Sequence, residues 1–171
     1  MTSDGKAVFG ITGWKNTGKT TLVERLVEHF SASGLKISTI KRAHHSFDID
    51  REGTDSFRHR KAGAQEVAIV GQQRWALMHE GNDSQTELDD MLARLAPCNL
   101  VLVEGFKANP IHKIECVGER PSDREPVYRE HPGVVGMANA RADDTCPLPQ
   151  FRRDDIAGIA DFILIETGLR S

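Results

Sequence analysis

Cysteine is scarce and poorly placed for cross-linking. Cys98, Cys116 and Cys146 are three in number, widely separated, and none belongs to a C-x-x-C pair. Such a set excludes a disulfide framework and a cysteine-based metal knuckle, and it leaves reduced thiols that behave as small buried or half-buried side chains. An excess of charge is also missing: 22 Lys and Arg stand against 25 Asp and Glu, a net of −3. This balance gives no electrostatic basis for binding nucleic acid or an anionic membrane surface. No apolar run approaches the roughly 18 residues of a membrane span. The opening MTSDGKAVFGITG lacks the charged-then-apolar order of a targeting segment. Repeats and low-complexity stretches are absent as well. What remains is a chain of 171 residues, 39% hydrophobic. It is expected to form one cytoplasmic domain spanning residues 1–171 with a core of its own.

Apolar periodicity then lays out the elements. AVFGITG (7–13) is a short β-rich run ending in glycine. From Lys19 to about residue 33, Leu22, Val23, Leu26, Val27 and Phe30 recur at helical spacing until Gly34 stops them. KISTIKR (36–42) reads as a second strand, which completes a β-α-β crossover. A polar loop over 43–53 leads to a short helix over 54–64 begun by Thr54 or Asp55. EVAIVG (66–71) and RWALMHE (74–80) read as two strands joined by Gln72 and Gln73. The stretch 84–96 reads as a helix with Ser84 and Glu87 at capping-box spacing. NLVLVEG (99–105) is the continuous apolar run of a buried parallel strand. Strands are expected over 111–118 and 134–140, a surface loop over 119–133, and a last helix over 152–166. The alternation implies a three-layer α/β fold. Its sheet would be mostly parallel, with a local antiparallel hairpin that makes it mixed.

Residues 13–20, GWKNTGKT, satisfy G-x-x-x-x-G-K-[ST] in full, between an apolar strand and an amphipathic helix. That context is what a phosphate-binding loop requires. Gly13 turns the chain off the strand, Asn16 tolerates unusual backbone angles, and Gly18 lets the backbone approach phosphate without a Cβ. Amides from about Lys15 through Thr17 to Thr20 form an anion nest, reinforced by the positive end of the helix. Lys19 supplies a full charge for the β- and γ-phosphates, Thr20 a hydroxyl ligand for Mg²⁺, and Thr21 reaches toward the α-phosphate. Trp14 and Lys15 occupy variable positions. Lys15 either adds charge to the site or is simply solvated.

A phosphate loop needs an acid for the metal or its water, and Glu104 ends the buried strand where such an acid belongs. Lys41, His44, His45, Asp48 and Asp50 crowd the segment after the second strand. Asp50 or Asp48 is a candidate switch-type Mg²⁺ partner. The two histidines lack the spacing of a metal set and suit a nucleotide or partner contact, or a solvated loop. Lys107 is either a phosphate contact or a solvated lysine. Asn139 and Asp143 follow a strand but do not reproduce Asn-Lys-x-Asp, because Ala140 and Ala142 stand at its Lys and Asp positions. The bound base is therefore not legible from these residues.

GWKNTGKTTL, IKRAHHSFDIDREGTDSFRHRKAGA, QRWALMHE and LVLVEGFK together resemble the MobB family of P-loop NTPases, over residues 7–166. The K-x-x-H-H loop, the Asp50–Ser56 run and V-E-G-F-K carry the family-specific part. The resemblance implies a homodimer that binds GTP and hydrolyses it slowly. It also implies an adapter role in attaching GMP to molybdopterin, with the transfer itself done by a partner nucleotidyltransferase and molybdopterin as a further candidate ligand. Carried over by position, residues 13–21 bind phosphates and Thr20 and Glu104 lie near Mg²⁺, while Lys41, His44, His45 and Asp50 match without assigned roles. Where the best-known dimeric P-loop NTPases carry lysine second in the loop, this chain has Trp14, followed by Lys15. No glutamine or arginine finger is evident, in keeping with slow hydrolysis. Two other readings share the loop. One is a small-molecule kinase using Arg120, Arg124 and Arg129 as a lid. The other is a non-catalytic module whose docking surface is ordered by nucleotide.

Overall fold

The computed structural model describes residues 5–43, 47–81, 87–118 and 124–170. In chain order the elements are β1 (Ala7–Thr12), α1 (Lys19–Ala32), β2 (Ile37–Lys41), α2 (Asp55–Lys61), β3 (Glu66–Val70), β4 (Trp75–His79), α3 (Leu88–Arg94), β5 (Leu100–Glu104), β6 (Lys113–Cys116), β7 (Val134–Asn139), β8 (Gln150–Arg152) and α4 (Ile156–Glu166). A 3₁₀ turn covers Val127–Arg129. They fall into two compact units, Met1–Arg42 with Leu88–Ser171, and Ala43–Glu87. Among the described residues no helix is long and apolar enough to cross a membrane.

The larger unit is built on a six-stranded sheet in the order β2-β5-β1-β6-β7-β8, every adjacent pair parallel. Side chains alternate across a strand, and β5 shows why its sequence is apolar throughout. Leu100 and Leu102 enter one core with Phe9, Ile11, Ile114, the α1 residues Leu22, Leu26 and Phe30, and the α4 residues Ile159 and Ile163. Val101 and Val103 enter a second core with Leu88 and Leu92 of α3 and Phe106. Helices thus cover both faces, as the three-layer expectation required. Parallel strands also bring the ends of β1, β2, β5 and β6 to one edge, where Thr12, Lys41, Glu104 and Cys116 terminate their strands.

The smaller unit pairs β3 and β4 antiparallel in a separate two-stranded sheet. The hairpin expected at 66–80 is present, but the main sheet is uniformly parallel rather than mixed. Period and turn signals specify a hairpin without specifying whether it joins a larger sheet. Arg60 organises this unit: its guanidinium donates to Asp48, Asp50 and Glu80 at 2.9, 2.5 and 2.8 Å. Val67 and Met78 are buried, whereas Ile69, Val70, Trp75 and Leu77 are exposed, with Val70 at 80% and Trp75 at 73%.

Other boundaries moved. The helix expected over 84–96 is described as Leu88–Arg94, and Ser84 of the expected capping box lies outside the described residues. The last helix begins at Ile156, because Asp155 accepts the Gly158 amide at 3.0 Å as its cap. Residues 150–152 instead form the edge strand β8, too short to show a period of its own.

Candidate phosphate-binding site

The loop between β1 and α1 adopts the backbone that its residue types suggested. Asn16 lies at φ 64° and Gly18 at φ 93°, both left-handed. Gly13, at φ 136°, passes so close to β6 that a Cβ there would stand 2.4 Å from the Cys116 carbonyl oxygen. The Trp14 carbonyl accepts the Thr17 hydroxyl at 2.9 Å and the Lys19 ammonium at 2.6 Å, which closes the loop upon itself. Among the described residues the amides of Lys15, Asn16, Thr17 and Gly18 have no protein acceptor. Four amides without acceptors, next to a helix start that carries no acid in its first turn, are the donor set an anion would suit. Burial lowers the Lys19 ammonium below the usual lysine range. The nearby Glu104 carboxylate opposes this, and Lys41 adds to it.

Glu104 faces the start of α1. Thr20 Oγ1 donates to its two carboxylate oxygens at 3.1 and 3.3 Å. Lys41 is the register partner of Glu104 across β2 and β5. Its ammonium lies 3.2 Å from Glu104 Oε1 and donates to Thr20 Oγ1 at 3.4 Å. Past Glu104 the chain bends through two left-handed residues, Gly105 and Phe106, the latter at φ 51° with Arg42 stacked 5.0 Å from its ring. The bend brings the Lys107 ammonium 3.4 Å from the Trp14 ring centroid. Burial, followed by Lys19 and Arg124, lowers Lys107 below the usual lysine range.

A hydroxyl and a carboxylate are hard oxygen donors of the kind Mg²⁺ takes, and Mg²⁺ usually completes its shell with waters and substrate phosphates. No group of three or more His, Cys, Asp or Glu that could hold a metal occurs among the described residues. Thr20 and Glu104 therefore fit an ion that phosphate oxygens help to hold.

His44 and His45 are outside the described residues, as is Arg120. Asp50 belongs to the smaller unit, and both its carboxylate oxygens are bonded to Arg60, which holds the acid below the usual carboxylate range. Asp143 is taken up by the amide and hydroxyl of Thr145, and the Asn139 amide donates to Gln150. Lys15 is exposed. Burial pushes the Cys116 thiol up to about 12, so it stays protonated beside the loop.

Three contributors were not anticipated. Arg153, after β8, donates to the Thr17 carbonyl at 3.2 Å. The Trp14 indole donates to the Glu125 carbonyl at 3.0 Å, and Arg124 lies 4.7 Å from its ring centroid. Glu115 is 1% exposed, and its oxygens accept the Val127 and Tyr128 amides at 2.9 and 3.0 Å. Glu115 left a trace in the sequence, as an acid within the otherwise apolar end of β6, and Arg124 was legible only as a candidate lid residue.

The family pattern of MobB, molybdopterin guanine dinucleotide synthesis protein B, matches residues 8–140. A molybdopterin-guanine dinucleotide biosynthesis adapter protein of Escherichia coli is 37% identical over 166 residues, covering 92% of this chain and 91% of that protein. The adapter protein of the same name from Haemophilus influenzae is 41% identical over 109 residues, 63% of this chain and 61% of its own length. The crystal structure of Bacillus subtilis MobB superposes with a TM-score of 0.73 at 26% identity, covering 94% of this chain and 98% of that one.

Proposed function

The chain belongs to the MobB family, and from the geometry of its site we propose that it is a GTP-binding, slowly hydrolysing adapter for the attachment of GMP to molybdopterin. The observation that carries this reading is the loop itself: amides without acceptors from Lys15 to Gly18, and Lys19 beside them. The Thr20–Glu104 pair stands next to both. A triphosphate would draw Lys19 from the Trp14 carbonyl onto its β- and γ-oxygens, exchanging one acceptor for a charged one. Thr20 and Glu104 would hold Mg²⁺, which when bound neutralises charge developing on the phosphoryl oxygens. Lys107 adds a further cation on the Trp14 side of the loop.

Hydrolysis is slow in this reading because the side chain bonded to the Thr20–Glu104 pair is a lysine, Lys41, which neutralises the acid rather than orienting a water. Preference for guanine is carried from the family, since the Asn139 and Asp143 side chains are engaged within their own segment. The metal role rests on Thr20 and Glu104, with Asp50 committed to Arg60. Partners are a molybdopterin nucleotidyltransferase and a second copy of this chain, acting in the cytoplasm. The apolar face of β3–β4, with Val70 and Trp75 exposed, supports the second copy.

Calorimetric titration of GTP and ATP, each with and without Mg²⁺, tests the reading. Tight binding of GTP that Lys19→Ala weakens by at least about tenfold is the expected result, being the loss of one charge-assisted contact. Unchanged GTP affinity in Lys19→Ala would show that the phosphates bind elsewhere. Labelled γ-phosphate passing to water and to no small-molecule acceptor separates the adapter from a kinase.

A further inference from the structure

Lys41, Thr20 and Glu104 form a closed triangle at the edge of the sheet. The hydroxyl reaches both carboxylate oxygens at 3.1 and 3.3 Å, and the ammonium reaches carboxylate and hydroxyl at 3.2 and 3.4 Å. The fold places the three side chains within reach of one another. Lys41 and Glu104 are register partners at the ends of adjacent parallel strands, and Thr20 opens the first turn of α1. The two oxygens assigned above to a divalent ion are thus the two already served by a cation of the chain.

We propose that Lys41 is a built-in monovalent counter-ion that competes with the divalent ion for Thr20 and Glu104, so that nucleotide can be held without metal and metal enters only weakly. The inference rests on the reading that residues 13–21 hold a nucleotide's phosphates.

The competition is electrostatic and steric. An ion ligated by Thr20 Oγ1 and Glu104 would stand about 2 Å from each oxygen, closer than the ammonium stands now. Two cations at that separation repel strongly beside a protein of low dielectric. One of them must leave, and Lys41 can: its side chain is 59% exposed, and β2 lies at the edge of the sheet. Without metal, the same ammonium stays beside the Thr20 hydroxyl and offsets part of the triphosphate charge together with Lys19. Coupling between Lys41 and metal is reciprocal, so removing the ammonium must tighten the metal site and loosen metal-free nucleotide binding.

Lys41→Gln, with Lys41→Met as a second variant, tests this in the full-length chain. A non-hydrolysable GTP analogue is titrated calorimetrically in EDTA and in saturating Mg²⁺. Mn²⁺ binding to the nucleotide complex is followed by its electron paramagnetic resonance signal. The expected result is at least about tenfold weaker nucleotide binding in EDTA, with little change in Mg²⁺, and a Mn²⁺ midpoint at least about tenfold lower. The unfolding midpoint of nucleotide-free protein should move little, because the Lys41 end of the ion pair is exposed and the Thr20 hydroxyl still donates to Glu104 in both variants. A Mn²⁺ midpoint unchanged or raised in both variants overturns the proposal, as does unchanged affinity in EDTA. If the parent chain binds the analogue in neither condition, the phosphate-loop reading fails first and this inference falls with it. That failure is visible before any variant is compared.

Discussion

Glu115 offers the sharpest test of how the site is held. The side chain is 1% exposed, and its two oxygens accept the amides of Val127 and Tyr128, which open the 3₁₀ turn. Through that turn the carboxylate fixes the segment whose Glu125 carbonyl receives the Trp14 indole. Truncation to alanine would leave two amides without acceptors, that of Val127 buried and that of Tyr128 half-buried. Each unsatisfied donor costs about 1–3 kcal/mol, and ending the burial of the carboxylate offsets part of this, so Glu115→Ala should lose about 2–4 kcal/mol. Urea unfolding in a Trp75→Phe background, with Trp14 as the reporting fluorophore, measures both the loss and the change around the indole.

The pH dependence supplies a second readout. Burial raises the Glu115 carboxyl above its ordinary range, and the two amides, Lys107 and His131 pull it back only partly. Between an ordinary pKa of about 4.3 and the raised folded value, the folded chain keeps a proton that the unfolded chain has released. The contribution of this group is therefore fully present below that window and lost as pH rises through it. Glu115→Gln, which cannot ionise, should flatten the decline. A cost under about 1 kcal/mol for Glu115→Ala, smaller than one orphaned buried amide, together with an unaltered slope in Glu115→Gln, would refute the assignment.

The smaller unit yields two further expectations. Asp50 is depressed below the ordinary carboxylate range, first by its hydrogen bond to Arg60. Its stabilising contribution is present above the ordinary pKa and lost as pH falls through the folded value. Arg60→Ala should lower the melting temperature at pH 7 and remove that part of the acid sensitivity, as a pH series of thermal melts would show; a melt unchanged at neutral pH would deny Arg60 its organising role. Trp75→Glu places a charge in the exposed apolar face of the hairpin, opposite Val70. Sedimentation should find the parent chain dimeric and this variant largely monomeric, and a variant still dimeric would exclude the hairpin as the interface.

What the sequence revealed was what is local. The backbone of the loop between β1 and α1 was legible because it is set within nine consecutive residues, and the left-handed angles at Asn16 and Gly18 follow from residue type. Glu104 was legible as the acid ending an apolar run. Its bond to Lys41 was not, because it depends on β2 lying next to β5, a neighbourhood set by the order of the sheet. Arg153 reaches Thr17 across 136 positions, and no periodicity encodes such a contact. Asp50 could be read as a switch acid because acids after β2 suit that role. Its carboxylate nevertheless goes to Arg60, ten residues on, at an approach only the folded chain defines. The hairpin was evident from alternation and a short turn, while its separation into a second sheet depended on pairing partners that alternation does not name.

The Trp14 carbonyl, which accepts both the Thr17 hydroxyl and the Lys19 ammonium, sets a threshold for entry. The carbonyl takes one of the three donors of the Lys19 ammonium, so an incoming anion would either share Lys19 with it or displace it, and a small ion with few oxygens would recover little in that exchange. A chain of linked phosphates, able to engage the amides of the loop and Lys19 at once, recovers far more. The loop should consequently discriminate against free inorganic phosphate, a selectivity arising from the chain's own bond rather than from any feature that excludes the smaller ion.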